Sequence, residues 1–460
     1  MSYFGYRKRM PGSREQIFLN LFTMFLLFFI ILRWFFLIDQ YSVNMLFWDQ
    51  WDFLGALFAD KGPWELFSWQ HGPPRQGVGF FLTKAVAELS GWNTRIESFM
   101  IGTVVCFAAL TAVFLKFRLV GNITAFDVAI PLLYLSPLQF GLFGNTPNVS
   151  HGAMPLLLIT LFCLCWTIKN ITLRYFLCAI INFMTIYTGF GIFIGCIIPF
   201  LFLSESILAV RKGDKRRTVL AVFFILVSIL SLLSFFINYT FNSAAPGFRF
   251  PYPDYFMYIK FILISFATYC GIRMSHIVSY IIAAPVVIGM LYAVGRTGLD
   301  IVHSLFREKN AQEIITGQII LVLVLFTSIF LLNLAIGRVC LGLGAATASR
   351  YTPYITFAFF ALYLFAVTRG NIPVQLIVFC TACFFVTTFS IGNHNRAYAE
   401  RLRQGKLKWK QAYLQTENIL LANRLSGFEI HPNPQQTHLK AKLDYLKKNK
   451  LNLYLTGRKQ

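Results

Sequence analysis

Long apolar runs separated by short polar or basic breaks set the pattern of this chain. The first run covers residues 17–38, and others follow at 98–115, 126–143, 152–168, 190–210, 219–239, 277–294, 315–336, 353–367 and 372–391. About 20 apolar residues let a helix cross the hydrocarbon core of a bilayer. Only helices and closed barrels satisfy every backbone polar group there. With the shorter run at 175–187, the pattern predicts an all-α polytopic membrane protein of about eleven spans. Residues 258–271 read either as a short span or as a re-entrant segment. Arg296, Arg307 and Lys309 favour the inside for the loop after 277–294, and that favours the re-entrant reading.

Charge orients the pattern. Arg7, Lys8, Arg9 and Arg14 face a single acid, Glu15, before the first run, and residues 211–217 form a strongly basic turn. Both are expected on the cytoplasmic side. Residues 39–95 are then external, with six acids against four bases. Within them 45–58 and 77–89 read as amphipathic helices, parted by Gly72-Pro73-Pro74. The tail opposes the rule. Residues 392–460 hold fourteen Lys/Arg against four acids, which favours the cytoplasm, whereas the span count puts them outside. Long C-terminal segments follow the charge rule weakly, so the external placement is kept. Apolar residues at helical spacing over 402–423 and 437–451 predict helices. The chain thus divides into a membrane domain, 1–391, and a small helical extramembrane region, 392–460.

Composition agrees with the runs. The chain is 57% hydrophobic and 13% charged, where a soluble domain carries roughly 25% charged residues. The net charge of +22 lies in short clusters beside apolar runs and in the tail. That distribution suits anionic lipid rather than nucleic acid. The nine cysteines lie in or beside apolar runs and suggest no disulfide framework. No phosphate-loop, dinucleotide or zinc-protease motif stands in a supporting context, so no cofactor is expected; metal dependence stays open.

Candidate chemistry concentrates in residues 48–79. Asp49, Asp52, Asp60 and Glu65 are interleaved with Trp48, Trp51, Trp64 and Trp69, and His71 and Arg75 follow. Trp belongs to the membrane–water boundary, because its ring is apolar and its N–H wants a partner. Asp49 and Asp52 are three apart, which on a helix sets both carboxylates on one face. A partly desolvated carboxylate there can take a proton from an acceptor hydroxyl; solvated loop acids or helix-start acids are the plainer alternative. Arg75, beside a rigid Gly-Pro-Pro turn, offers a donor fork suited to phosphate. Arg338 and Arg350 flank a small-residue stretch between two spans. At that depth they want an anion, either a phosphate or the loop acids. His151, in the polar turn 144–151, is a weaker candidate.

At W-D-Q-W-D-F, Q-H-G-P-P-R and A-S-R-Y the chain resembles the GT-C superfamily of integral-membrane glycosyltransferases. That resemblance implies many spans and a catalytic acid in the first external loop. The acids here are spaced D-x-x-D rather than D-x-D, with Asp49 the better match by position. It implies inverting transfer of a sugar from a polyprenyl-phosphate donor to a glycan or lipid acceptor, at the outer face of a bacterial inner membrane. Asp49 and Asp52 would be the catalytic acids. Arg75, Arg338, Arg350 and Tyr351 would lie around the donor phosphate, and Trp48, Trp51, His71 and His151 toward the acceptor. A flippase of lipid-linked oligosaccharide, or an O-antigen polymerase or ligase, is the alternative. A flippase calls for charges along several spans and pseudo-repeated halves, and neither is visible in the sequence.

Overall fold

The computed structural model describes residues 14–241, 245–272, 277–304, 306, 310–368 and 393–455. Its regular elements are helices, and no strand is formed among these residues. Among the described residues eight helical segments are long and apolar enough to cross a membrane: Leu21–Tyr41, Thr94–Val120, Ala125–Leu142, Ile192–Arg211, Lys215–Ser234, Ile277–Ser304, Ala311–Leu341 and Ser349–Thr368. Ala153–Trp166, Ile171–Ile186 and Phe256–Tyr269 are shorter apolar helices. The last predicted run, 372–391, lies outside the described residues.

The helices in chain order are α1 (Arg14–Tyr41), α2 (Gln50–Phe53), α3 (Gly55–Phe58), α4 (Pro63–Phe67), α5 (Gly77–Ser90), α6 (Thr94–Val120), α7 (Ala129–Tyr134) and α8 (Ala153–Trp166). Then come α9 (Ile171–Ile186), α10 (Ile192–Gly195), α11 (Ile198–Arg211), α12 (Lys215–Ser234), α13 (Phe256–Tyr269), α14 (Ile277–Ser304), α15 (Ala311–Arg338) and α16 (Thr352–Thr368). The tail supplies α17 (Asn393–Thr416), α18 (Ile419–Ser426) and α19 (Leu439–Lys448).

Local chemistry sets many of the boundaries. The Asn93 side chain accepts from the Arg95 and Ile96 N–H groups at the start of α6, and Gly121 ends that helix in the left-handed region, φ 82°. Asp214 and Asn310 cap α12 and α15 in the same manner. The run predicted at 126–143 is not one helix. Pro137 lacks a backbone N–H and divides it into α7 and a 3₁₀ turn, Pro137–Leu142. Residues 45–58 also fail to form one helix: Trp48 takes a positive φ of 54°, and only the short α2 and α3 follow.

The bundle has two unlike ends. At the basic end Arg118 Nη2 donates to Thr167 O, Gln312 Nε2 to Arg118 O, and Arg211 Nη1 to Ser304 O. These bonds gather the ends of α6, α8, α11 and α14 and the start of α15. At the loop end Gln70 Nε2 donates to Thr240 O, tying the first loop to the connection after α12. α14 runs beside α16, with the Tyr292 and Phe365 rings 5.8 Å apart. Since Ser304 lies at the basic end, Ile277 lies at the loop end. α13 packs on the turn Leu343–Thr347 at that same end.

Residues 125–142 and 349–368 form the centre of the bundle, whereas α1, α12 and α14 turn most of their apolar surface outward. Phe25, Phe28, Phe29 and Phe36 of α1 are more than half or about half exposed, as lipid-facing residues would be.

The tail packs against the first loop. Trp48 N donates to Ile430 O, 2.9 Å; Asn44 Nδ2 donates to Asn452 O and Asn452 Nδ2 to Asn44 Oδ1, each 3.0 Å. Phe47 stacks on Phe428 and Phe58 meets Tyr445 edge-on. The apolar cluster is continuous from α1 to Leu453. The tail therefore lies at the same end as residues 39–95, despite its basic charge.

Candidate functional site

At the loop end five segments line an open recess. Asp49 and Phe53 come from α2 and its start, and His71 from the turn before α5. Gly141 and Leu142 come from the 3₁₀ turn after α7. Thr146, Asn148 and His151 come from the turn before α8, and Arg350 from the connection into α16.

The chain positions these groups through backbone ties. Gln50, fully buried, accepts from Phe47 N and donates through Nε2 to Pro147 O. It thereby fixes the start of α2, and so Asp49, against the 144–151 turn. The His71 N–H donates to Pro74 O, closing the Gly72-Pro73-Pro74 turn, and the imidazole meets the Phe53 ring edge-on at 6.0 Å. The Asn148 side-chain oxygen accepts from Ser150 N, and Ser150 Oγ donates to Gln76 O. Gly141 lies so close to residues 349 and 350 that a Cβ there would stand 2.5 Å from Ser349 Oγ and 3.0 Å from Arg350 N. Only glycine lets the turn approach and bring Arg350 to the recess.

Asp49 Oδ2 and Arg350 Nη1 stand 3.9 Å apart, with side chains 42% and 45% exposed. Of the two anions considered for this arginine, a loop acid is the one beside it. The contact is too long for a hydrogen bond. Arg350 also lies 5.3 Å over the ring of Tyr351, which is itself buried. The histidines are of another kind. Burial lowers the His71 pKa, outweighing the raising effect of Asp49 and Asp52. Burial, with His71 and Arg350 acting in the same direction, lowers that of His151 to about 3. Both imidazoles are neutral near pH 7 and act as hydrogen-bonding groups there. His151 Nε2 and Asn148 Nδ2 are buried without a hydrogen-bond partner, which costs about 1–3 kcal/mol each. Both residues line the recess.

The other expected site residues lie elsewhere. Asp52 turns to the tail: His431 Nε2 is 3.1 Å from its Oδ2, Thr437 Oγ1 donates to Oδ1, and Lys442 Nζ is 3.9 Å away. The two acids thus diverge, because α2 is a single short turn wedged between the recess and the tail. Arg75 is 3% exposed and donates to three carbonyls, Phe235 O, Ser68 O and Ile237 O. The rings of Tyr187, Phe235 and Tyr239 surround it at 5.3–5.9 Å. It staples the first loop to the end of α12 and is turned away from the recess. Arg338, half-buried at the end of α15, makes no side-chain hydrogen bond or ion pair with a described residue and does not line the recess. Trp48 is 40% exposed next to Asp49, while Trp51 is fully buried and stacks on Phe58.

Sequence reasoning missed Gln50 and Gly141, and did not single Thr146 or Asn148 out from their turn. It also missed the tail groups that hold Asp52. His431 and Thr437 lie 379 and 385 positions from Asp52, and no local pattern spans that distance. Among the described residues no group of three or more His, Cys, Asp or Glu could hold a metal ion. No protein family, curated protein or solved structure matches this chain.

Proposed function

We propose that this protein is a membrane glycosyltransferase that takes its sugar from a polyprenyl-phosphate donor, with the recess at the loop end as its reaction site. The observation that carries the reading is the loose pairing of Asp49 with Arg350, both half exposed on one wall with two neutral histidines. A base and a fixed cation side by side are what displacement at an anomeric carbon needs. The acceptor oxygen forms its bond to that carbon as the bond to the phosphate oxygen breaks. Asp49 takes the acceptor proton, and the phosphate leaves with the electron pair. Arg350 stabilises the charge that develops on it. His151 Nε2 and Asn148 Nδ2 supply hydrogen-bonding capacity for sugar hydroxyls. Trp48, beside Asp49, is available for ring stacking. The acceptor would be a cell-envelope glycan or lipid at the external face of the inner membrane. Asp52, Trp51 and Arg75 hold the wall in place, and Arg338 has no part in the step proposed here.

The test is donor consumption by purified protein in lipid, using a panel of polyprenyl-phosphate sugars with cell-envelope glycan as acceptor. Asp49→Asn is expected to lower turnover by about 10²–10⁴ and Arg350→Gln by about 10²–10³. A wild-type protein that consumes no donor yet carries lipid-linked glycan across the bilayer would sink the proposal and favour the flippase. Full turnover in Asp49→Asn would remove the assigned base.

A further inference from the structure

A second, open recess lies at the opposite, basic end. Its wall carries Lys169, Arg174, Lys212 and Arg217 against a single acid, Glu205. That acid is already satisfied. Arg217 Nη2 lies 2.5 Å from its Oε2, Tyr175 OH donates to the same oxygen, and Gln318 Nε2 donates to Oε1. Trp166 Nε1 in turn holds the Gln318 oxygen. Four cations against one carboxylate leave an excess of three positive charges.

Several of these donors are not used up. Arg217 Nε is buried without a partner. Arg174 is 5% exposed and is held through Nε to Ile168 O and by the Trp166 ring at 5.8 Å, and its terminal N–H groups make no hydrogen bond to a described residue. Lys169 and Lys212 are exposed at the rim. The first residues of α9 and α15, Ile171 and Ala311, also line the wall, so two helix N-termini add partial positive charge there.

We propose that this recess binds the phosphodiester headgroup of an anionic lipid from the leaflet that borders the basic end. The surroundings favour lipid over a soluble phosphate. Leu208, Ile314 and Ile315 form an apolar side to the recess. Leu173 on α9 and Ile207 and Val210 on α11 are 47%, 46% and 63% exposed, a surface suited to acyl chains. Basic pockets between spanning helices suit such headgroups because phosphate gains several charge-assisted bonds while its chains stay in the bilayer. This site is independent of the transferase reading.

The experiment is native mass spectrometry of the whole protein in neutral detergent, titrated with phosphatidylglycerol, phosphatidylcholine, inorganic phosphate or ATP. Saturable binding of phosphatidylglycerol over phosphatidylcholine is expected. Removing two rim charges in Lys169→Gln/Lys212→Gln should weaken it by about 25-fold, at about fivefold for each lysine. Lys440→Gln/Lys447→Gln removes the same charge at the other end and should leave binding unchanged. Lys440 and Lys447 pair with Asp444 and Glu417 on the tail surface. Equal weakening by both double variants would overturn the proposal, since binding would then follow net charge alone. So would indifference between the two lipids, or binding of ATP or phosphate without the lipid.

Discussion

Near the basic end Lys116 and Asp127 stand 2.7 Å apart and are almost fully buried; at the loop end Asp49 and Arg350 stand 3.9 Å apart and are nearly half exposed. The Lys116 ammonium and both Asp127 oxygens are hydrogen-bonded. Lys116 Nζ also donates to Asn122 O, and Asp127 accepts from Thr124 N and from Tyr363 OH. The second pair is slack and shares its recess with two buried, unpartnered polar atoms. A saturated pair holds helices together; a slack one retains bonding capacity for something that arrives. The same contrast separates Arg75, spent on three carbonyls, from Arg350. Position in the sequence suggested phosphate for both, and only the second faces a recess.

The contrast can be broken most forcefully at the saturated pair. Asp127→Asn leaves the Lys116 charge buried without its counter-ion, which costs about 3–5 kcal/mol. The expected outcome is a large loss of thermal stability in detergent, with Lys116→Met/Asp127→Leu recovering much of it because no buried charge remains. A mild effect in the single variant would mean that water reaches the pair. Next in size is Arg75→Met, which strands three carbonyls between the first loop and the end of α12. About 2–4 kcal/mol should be lost, read as a fall in unfolding temperature.

Asp52→Asn comes third. It removes the charge that His431, Thr437 and Lys442 share, at about 1–2 kcal/mol. Limited proteolysis should cut the tail faster while the bundle stays intact. If the tail resists the protease as before, the apolar contacts of Phe428 and Tyr445 are what hold it. A pH scan is fourth. The folded-state pKa of His151 is lowered from 6.5 to about 3, so the unfolded chain binds the extra proton between those values. Stability is therefore full above about pH 7 and falls as pH drops through 6.5 toward 3. About 1 kcal/mol should be lost at pH 5.5, and His151→Gln should lack that share of the slope.

Much of the fold was legible because bilayer crossing leaves a coarse, repeated signature. The runs at 98–115 and 315–336 appear within α6 and α15, and the basic loop 211–217 does mark one end of the bundle. The candidate site was legible only in pieces. Asp49 and His71 announce themselves by their Trp and Gly-Pro-Pro settings, and Arg350 by its place between spans. Nothing local separates Asp49 from Asp52, or Arg350 from Arg75, because the difference lies in what remote segments supply. For Asp52 that is the tail, and for Arg75 three carbonyls, two of them more than 150 positions away. The tail misleads by charge: fourteen basic residues point one way, while Asn44–Asn452 bonding and a shared core point the other.

The smallest expected effect on stability is the one that sharpens the comparison most. Asp49→Asn removes one partner of a 3.9 Å contact whose members are both well solvated. Such pairs contribute about 0–1 kcal/mol, and Asn keeps the shape and an acceptor oxygen. The unfolding temperature should therefore stay close to that of the wild type, on the same preparations in which donor turnover collapses. Stability and turnover respond in opposite proportion at the two ends only if the slack pair is kept for a ligand. Were Asp49→Asn to destabilise the protein as much as Asp127→Asn, the loop-end pair would be a structural bridge and the recess would lose its base.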